Sequence, residues 1–430
     1  MGPHSLRVDL EAAQLVALQA LIEEVGPRNP FYRDRWSAAG LTARLVSLEE
    51  FRRRAPFTGR AELLADHAAN PPYGTNLTYP LERYVRFCQT SGTSGAPMRW
   101  LDTPESWSWM VDNWTRVFRS CGVSATDRIL FAFSFGPFLG FWTAFDAGVQ
   151  LGALCLPGGG LTSSARLRML IDNQVTVLCC TPTYALRLAE VATEQGVDLR
   201  RGSVRFLVLA GEPGAAIPET RARLEALWPG ARAWDHHGMT EVGPVSFGCQ
   251  ARPGVLHILE HAFVAEIVDP ETTEPVPRGS VGELVLTNLG RLGSPLVRYR
   301  TGDVVRAAPT EVCSCGRIEL ALEGGILGRW DDMVVVRGVN LYPAVVEGVL
   351  RRFPEVAEHR VEVRRDGALA EARVGVEPIP DCADPAALAQ RVQDALRDEF
   401  HLRIPVTLVP PGSLPRFELK ARRWSSLTGA

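Results

Sequence analysis

The chain has 430 residues, of which 46% are hydrophobic and 22% are charged, and its formal net charge is −3 at pH 7. This length predicts two or three domains, and the composition is typical of a soluble globular protein. The small net charge excludes bulk electrostatic attraction to nucleic acid or to an anionic membrane, and no apolar run is long enough to span a bilayer. We therefore expect neither nucleic acid nor a membrane as a partner.

The cysteines and the N-terminus indicate a reduced, cytoplasmic protein. The number of cysteines, nine, is odd, and Cys179 and Cys180 are adjacent within an apolar run. Neither observation fits a disulfide scaffold. Residues 1–7 also lack the charged-then-apolar pattern of an export signal.

The N-terminal region is predicted to be helical. Residues 9–25 carry a broad apolar face at helical spacing, and residues 29–32 (NPFY) are expected to end this helix. A second helix is predicted around residues 47–53, where Ser47 and Glu50 have the spacing of a capping box.

A polar loop at residues 91–96 (SGTSGA) follows a short apolar-alternating run. It holds three hydroxyl side chains and two glycines. Glycines let a backbone approach a ligand closely, and successive N–H groups with hydroxyls nearby form a concave anion site. By itself the pattern fits a phosphate-binding loop or an ordinary polar turn. It is not a Walker A loop, because no Gly-Lys-Ser/Thr follows its first glycine at the required distance.

From residue 104 onward, helices and strands alternate, which predicts an α/β domain with a mostly parallel sheet. Ligands of such sheets bind at the carboxyl ends of the strands. The sequence places an aromatic loop (135–142), residues 211–214 (GEPG) and residues 236–243 at such ends. Predicted helices are 104–121, 161–173, 183–194 and 218–228, and predicted strands are 128–133, 153–156, 175–180, 204–210 and 232–235.

The sequence pattern changes twice after residue 243. Residues 244–327 contain short strand patterns separated by Gly/Pro turns, which predicts a β-rich subdomain. A small α+β module begins after the Asp331-Asp332 pair and ends in a basic tail. The predicted fold is thus α/β, with a large N-terminal domain (1–330) of mostly parallel sheets plus the β-rich subdomain, and a small C-terminal domain (331–430).

Five motifs in this order resemble those of the adenylate-forming (acyl-CoA synthetase) superfamily. They are residues 90–95 (TSGTSG), 237–241 (HGMTE), 299–303 (YRTGD), 328–332 (GRWDD), and 414–416 (LPR) with Lys420. Each motif alone is weakly specific, whereas the five motifs in this order across most of the chain are a strong indication of the superfamily.

The phenylacetate–CoA ligase branch of the superfamily is the most similar. The indications are residues 210–213 (AGEP) and the run DM…RGVNLYP that ends at Pro343. Two positions depart from the family pattern: Ala96 stands where a lysine is usual, and Leu419 stands where a glycine precedes the terminal catalytic lysine. The first indicates a phosphate loop that relies on backbone and hydroxyl groups.

The resemblance implies ATP-dependent activation of an aromatic carboxylic acid to acyl-AMP, release of pyrophosphate, and transfer to CoA through a mobile C-terminal domain. A hydroxy- or amino-benzoate or an arylacetate is the expected acid. Transfer to a carrier-protein phosphopantetheine is an alternative acceptor step, and a non-catalytic nucleotide-binding protein is an alternative from another class, motivated by Ala96. Oligomeric state is left open, with a homodimer as one option.

The resemblance also implies residue roles. Lys420 would bridge the acid carboxylate and the α-phosphate, Glu241 would bind Mg²⁺, and Asp331 would lie at the hinge. The implied nucleotide-binding residues are Ser91, Gly92, Thr93, Ser94, Gly95, Gly211, Glu212, Pro213, Asp235, His236, Thr240, Asp303 and Arg329. The implied acid pocket consists of Phe135, Gly136, Phe141, Ala210, His237, Gly238 and Met239, with His236 at its edge.

A separate group of four residues has the chemistry of a zinc site. Cys249, His257, Cys313 and Cys315 supply soft sulfur and imidazole ligands, the donors that tetrahedral Zn²⁺ prefers. Their spacing is not that of a standard zinc finger, but some members of the resembled branch look similar here. The sequence therefore predicts a structural Zn²⁺ site, with reduced unliganded cysteines as the alternative.

Overall fold

The structure is a computed structural model that describes residues 3–90, 97–337, 339–366, 369–417 and 421–428. None of the helices in these ranges is long and apolar enough to cross a membrane. The helices are α1 (Pro3–Val25), α2 (Pro30–Ala38), α3 (Leu48–Arg54), α4 (Arg60–Ala69), α5 (Pro104–Cys121), α6 (Trp142–Leu151), α7 (Ser163–Asp172), α8 (Pro182–Glu194), α9 (Pro218–Leu227), α10 (Pro343–Arg351) and α11 (Pro385–Phe400).

The strands fall into a parallel group, a β-rich group and a C-terminal group. They are β1 (Arg86–Gln89), β2 (Arg99–Asp102), β3 (Arg128–Phe131), β4 (Leu154–Pro157), β5 (Val177–Cys180), β6 (Phe206–Leu209), β7 (Arg232–Asp235), β8 (Gly238–Met239), β9 (Gly243–Pro244), β10 (Ser246–Gly248), β11 (Val255–Ile258), β12 (Phe263–Val268), β13 (Val281–Asn288), β14 (Tyr299–Arg306), β15 (Ala321–Glu323), β16 (Gly328–Arg329), β17 (Val334–Val336), β18 (Val339–Leu341), β19 (Val356–Asp366), β20 (Leu369–Pro378), β21 (Val406–Leu408) and β22 (Trp424–Thr428).

A parallel sheet of order β4-β3-β5-β6-β7 forms the centre of the N-terminal region. Strands β5 and β6 are buried along their whole length, as expected for strands covered on both faces. Alternate side chains enter different hydrophobic cores: Val177 and Cys179 lie in one, and Leu178 and Cys180 lie in the other. This alternation with period two explains why the sequence shows a continuous apolar run.

The β-rich region matches its prediction. It contains an antiparallel sheet of order β12-β13-β14-β16 and a second of order β10-β11-β15. The predicted α/β fold with an additional β-rich region is therefore confirmed.

The C-terminal module has its own hydrophobic core, whose fully buried members lie between Val336 and Ile404. Its sheet has the order β21-β20-β19-β22. The predicted basic tail was wrong over residues 424–428, which form β22 parallel to β19. Because its partner β19 is distant in the sequence, no local sequence pattern predicts this strand.

Two short N-terminal helices were also missing from the sequence prediction. Residues 29–32 follow α1, as predicted, but they also form the start of α2. The Asn29 side chain caps this helix by accepting hydrogen bonds from the backbone N–H groups of Phe31 and Tyr32. Helix α4 starts at Arg60 without any predicted signal. The predicted cap of α3 is present, since the Ser47 hydroxyl accepts from Glu50 N at 3.0 Å.

One buried ion pair joins the two halves of the N-terminal region. Arg291 and Asp102 are both fully buried, and the guanidinium donates two hydrogen bonds of 2.7 Å to the carboxylate. Burial lowers the pKa of Arg291, but the charge of Asp102 outweighs this and raises that pKa above its ordinary value. The guanidinium therefore stays charged, and its remaining N–H groups must find acceptors in the interior.

We expect Asp102→Asn to lower the free energy of unfolding by about 3–5 kcal/mol, because it leaves a buried guanidinium without its counter-charge. Urea unfolding followed by tryptophan fluorescence measures the change. Asp34→Asn is the matched control, since its pair with Arg33 is exposed to solvent and should contribute little to stability. Equal, small effects of both substitutions would show that the buried pair is not a structural requirement.

Candidate active site

Most of the predicted ligand-binding residues lie at the carboxyl edge of the parallel sheet. The aromatic loop follows β3, residues 210–213 follow β6, and His236 follows β7. Because these strands are parallel and lie near one another in the sheet, the three loops emerge at the same edge. This is the place where an α/β sheet binds its ligands.

The five predicted phosphate-loop residues, Ser91 to Gly95, lie outside the described residues. Their flanks are described. Thr90 N donates to Met98 O at 2.9 Å, and Met98 N donates to the Thr90 hydroxyl at 3.0 Å. Gln89 N donates to Pro137 O at 2.7 Å. The ends of β1 and β2 are thus held next to the aromatic loop.

Glu241 is nearly buried and has a cation beside it. Its carboxylate lies 3.3 Å from Arg60 Nη1, at the start of α4. Its backbone carbonyl and that of Thr240 each accept a 2.7 Å hydrogen bond from Arg291 Nη1. The ion pair with Asp102 therefore also fixes the backbone that carries Glu241. Sequence reasoning missed Arg60, Asp102 and Arg291, since none belongs to a recognisable pattern.

Asp303 on β14 faces two other predicted residues. Its Oδ2 lies 2.9 Å from His237 Nε2, and its Oδ1 lies 3.6 Å from Arg329 Nη1. Asp303 is paired with Arg329 in the register of β14 and β16. Within the described part of the chain, neither Asp303 Oδ2 nor His237 Nδ1 has a hydrogen-bond partner of acceptable geometry. A buried carboxylate oxygen in this state favours a ligand donor.

Burial changes the protonation of two neighbouring groups. It raises the pKa of Asp235 to about 7 and lowers the pKa of His236 to about 3. His236 is therefore neutral, and because its Nδ1 lies 2.6 Å from Ser246 O, that nitrogen carries the proton and donates it. The imidazole ring packs 4.1 Å from the ring of Trp114.

The aromatic loop is held by ring contacts. Phe135 has a positive φ of 51° and packs edge-on against Trp142 at 4.8 Å. Trp142 Nε1 donates to Gly136 O at 3.0 Å, and Phe141 is buried against Trp114. Trp142 thus supports the loop through packing and a hydrogen bond.

Gly238 and Met239 form β8, which pairs with β9 in a short antiparallel hairpin. A Cβ atom at Gly238 would lie 2.8 Å from Gly243 O, a distance that real Cβ atoms do not show. The HGMTE motif therefore requires glycine at this position.

The four predicted metal ligands come together. The ligand atoms of Cys249, His257, Cys313 and Cys315 all lie within 4.8 Å of one another. The sulfurs of Cys249 and Cys313 are 3.7 Å apart, and Cys315 Sγ is 3.4 Å from His257 Nε2. His257 Nδ1 lies 3.3 Å from the carbonyl oxygen of Glu319, which leaves Nε2 directed at the sulfurs.

The predicted residues of the C-terminal module are described only in part. Lys420 lies outside the described residues. Asp331 has a side chain that is 71% exposed, 3.8 Å from Arg329. The hairpin of β17 and β18 buries Val336 and Leu341 in the module's own core.

Comparison with known proteins gives consistent matches over nearly the whole chain. Residues 60–290 match the AMP-binding enzyme family and residues 338–426 match the AMP-binding enzyme C-terminal domain. The chain is 34% identical to the phenylacetate-coenzyme A ligase of Thermus thermophilus, over 96% of this chain and 95% of that protein.

Two crystal structures of a 2-hydroxyisobutyryl-CoA ligase are also similar. In the postadenylation state with 2-HIB-AMP, the TM-score is 0.91 at 29% identity, covering 97% of this chain and 89% of that chain. In the thioesterification state with 2-HIB-AMP and CoA, it is 0.73 at 30% identity, covering 98% and 90%. The chain belongs to the AMP-binding enzymes of the adenylate-forming superfamily, in the phenylacetate–CoA ligase-like branch, and is an AMP-forming acid–thiol ligase.

Proposed function

We propose that the protein activates an aromatic carboxylic acid with ATP, releases pyrophosphate, and transfers the acyl group from acyl-AMP to CoA. The observation that carries the proposal is the position of the histidine pair after β7. Trp114 packs against both His236 and Phe141 of the aromatic loop, and His237 Nε2 lies 2.9 Å from Asp303 Oδ2. Family membership supports the use of ATP and CoA. The proposed acid is a hydroxy- or amino-benzoate or an arylacetate.

Both reactants of the first step are anions, so the site must compensate negative charge as the transition state forms. We assign Glu241 to a Mg²⁺ ion that bridges the phosphates, because a carboxylate together with phosphate oxygens is the usual Mg²⁺ environment. Arg60 neutralises this carboxylate in the structure, 3.3 Å away, and would exchange that contact for the ion.

The ribose is assigned to Asp303. A carboxylate only accepts hydrogen bonds, and the unpaired Oδ2 leaves acceptor capacity for a ribose hydroxyl. Arg329, 3.6 Å away on β16, holds the other oxygen and offers a charge to the ribose or the α-phosphate. Gly211, Pro213, Asp235 and His236 are proposed to frame the adenine.

The proposed acid pocket lies between the aromatic loop and the HGMTE motif. Flat apolar walls with few polar groups suit an aromatic acid. Because His236 is neutral and its Nδ1 is used by Ser246, only its Nε2 remains as an acceptor. His237 carries a buried Nδ1 without a partner among the described residues. These nitrogens would recognise a polar ring substituent.

We further propose a structural Zn²⁺ ion on Cys249, His257, Cys313 and Cys315. A tetrahedron of sulfur ligands about 2.3 Å from zinc has edges of about 3.8 Å, close to the sulfur separation in the structure. The Glu319 carbonyl next to His257 Nδ1 is the kind of outer partner that orients a metal-binding imidazole. The ion would join β11 to the loop before β15, away from the acyl-transfer site.

The domain boundary and the cellular location of the protein are also proposals. The separate core of residues 336–404 supports division at Asp331 into an N-terminal domain and a small domain that carries Lys420. All nine cysteines are free thiols, which supports a reducing, cytoplasmic location.

The purified protein should catalyse acid-dependent exchange of pyrophosphate into ATP, with aromatic acids preferred over medium-chain fatty acids. The reason is the ring-lined loop, whose flat apolar rings suit a planar aromatic acid. A panel of benzoates, arylacetates, 2-hydroxyisobutyrate and octanoate measures the preference, and free CoA and a carrier protein are then compared as acceptors. Equal activation of octanoate would contradict the aromatic pocket.

The protein should contain about one equivalent of zinc per chain, and Cys313→Ser with Cys315→Ser should remove it and lower the unfolding temperature. Elemental analysis and thermal unfolding are the measurements. Cys382→Ser is the control, because that half-buried thiol belongs to the small module and not to the cluster. Metal-free wild-type protein after gentle purification would contradict the assignment.

Lys420→Ala should slow adenylation by a factor on the order of 10²–10³, since it removes one preorganised charge directed at the transition state. It should still convert synthetic acyl-adenylate and CoA to the thioester. Asp331→Pro should do the reverse, because proline restricts the backbone of the proposed hinge.

Separate assays of the two half-reactions decide between these outcomes. Arg422→Ala is the control for charge, since it removes an exposed cation two residues beyond Lys420 and should leave both steps unchanged. Equal slowing of both steps by Lys420→Ala would argue against a two-conformation mechanism.

A further inference from the structure

Glu212 connects the two domains through backbone amide groups. Its Oε1 accepts a 2.8 Å hydrogen bond from Thr183 N, in the first turn of α8. Its Oε2 accepts a 2.9 Å hydrogen bond from Ala421 N, in the C-terminal module. Ala421 directly follows Lys420 in the sequence. One carboxylate therefore joins a helix of the large domain to the chain next to the predicted catalytic lysine.

The two oxygens are suited to this role and leave little capacity for adenine. Thr183 lies at the N-terminus of a 13-residue helix, where the helix dipole favours an anion. Hydrogen bonds from N–H groups to a carboxylate are also stronger than those between neutral groups. The backbone of residues 211–213, rather than the Glu212 carboxylate, would therefore contact the adenine.

A second contact reinforces the same junction. Arg423 is buried, and its Nη1 lies 3.3 Å from the Thr183 hydroxyl across the domain boundary. Its other nitrogens donate to Glu358 at 2.7 and 3.1 Å within the module. Arg423 is thus fixed by its own module and presents one N–H to the large domain, two residues beyond Ala421.

Other polar contacts also cross the boundary. Arg352 pairs with Glu219 at 3.3 Å, with side chains 45% and 28% exposed, and a solvent-exposed pair of this type contributes little. The partly buried Arg223 donates to Val356 O at 3.2 Å. Glu212 is the carboxylate that bonds to the backbone of both domains.

We propose that Glu212 is a positioning residue for adenylation. It holds Ala421, the residue that follows Lys420 in the sequence, close to α8 in the domain arrangement that this structure shares with the postadenylation ligase. Release of the Ala421 amide then accompanies rotation toward the thioester-forming arrangement. The proposal rests on the proposed two-step function, and it assigns to Glu212 the first step alone.

The test is Glu212→Gln, which keeps the side-chain size but removes the charge and one acceptor. Losing charge-assisted hydrogen bonds should shift the domain equilibrium by about 10- to 100-fold away from the docked arrangement. We expect pyrophosphate exchange to fall by about 10-fold or more at saturating ATP, with KM for ATP little changed. Thioester formation from synthetic acyl-adenylate should persist, which also shows that the variant is folded.

Hydrogen exchange measured by mass spectrometry supplies a readout that does not depend on catalysis. Peptides containing Thr183 and Ala421 should lose protection in Glu212→Gln and keep it in Glu219→Gln, the control at the same boundary. Unchanged protection, a raised KM for ATP with normal turnover, or equal slowing of both half-reactions would overturn the proposal. If the wild-type protein activated no acid at all, the proposed function would fail, whereas the exchange data would still decide whether Glu212 holds the two domains together.

Discussion

The buried pair between Arg291 and Asp102 is the interaction on which the proposed site depends. Asp102 ends β2, whose other end borders the loop at residues 91–96, and Arg291 also holds the backbone carbonyls of Thr240 and Glu241. Four acceptors thus surround one guanidinium that cannot lose its proton. Because a buried charge without partners is very costly, these segments cannot separate without unfolding. The pair thereby fixes the spacing between the end of β2 and the backbone of Glu241, the predicted Mg²⁺ ligand.

The contacts at the domain boundary, which must change during the proposed cycle, are more exposed to water than the ion pair inside the large domain. Arg291 and Asp102 are entirely shielded from water, whereas Glu212, Arg352 and Glu219 at the domain boundary are partly exposed. Water can replace a partly exposed hydrogen bond at small cost, so these contacts can be broken and remade. The large domain is therefore held by buried charges. Apart from the buried contact between Arg423 and Thr183, the contacts named here that dock the small domain are open to hydration. This division suits an enzyme whose two half-reactions need one rigid site and two domain arrangements.

Burial also determines which groups near the site carry charge. The neutral state of His236 and the raised pKa of Asp235 both follow from the removal of water. The formal charges in the motif 235–241 are thus fewer than the sequence implies. Fewer charges leave an apolar wall for the acid, while Glu241, Asp303 and Arg329 remain as the polar groups that face the nucleotide in the proposal.

The sequence by itself determined the fold class, most of the helices and strands, and the family. These follow from local periodicity, as in β5 and β6, and from motifs in a fixed order. It also indicated the four proposed zinc ligands, whose ligand atoms lie within 4.8 Å of one another, because few side chains offer sulfur or imidazole. It did not predict β22, α4, or the partners of Arg291 and Glu212. Those depend on contacts between residues far apart in the chain, such as 102 with 291 and 212 with 421. Only the packed tertiary structure decides which distant charged groups are removed from water and therefore need a partner.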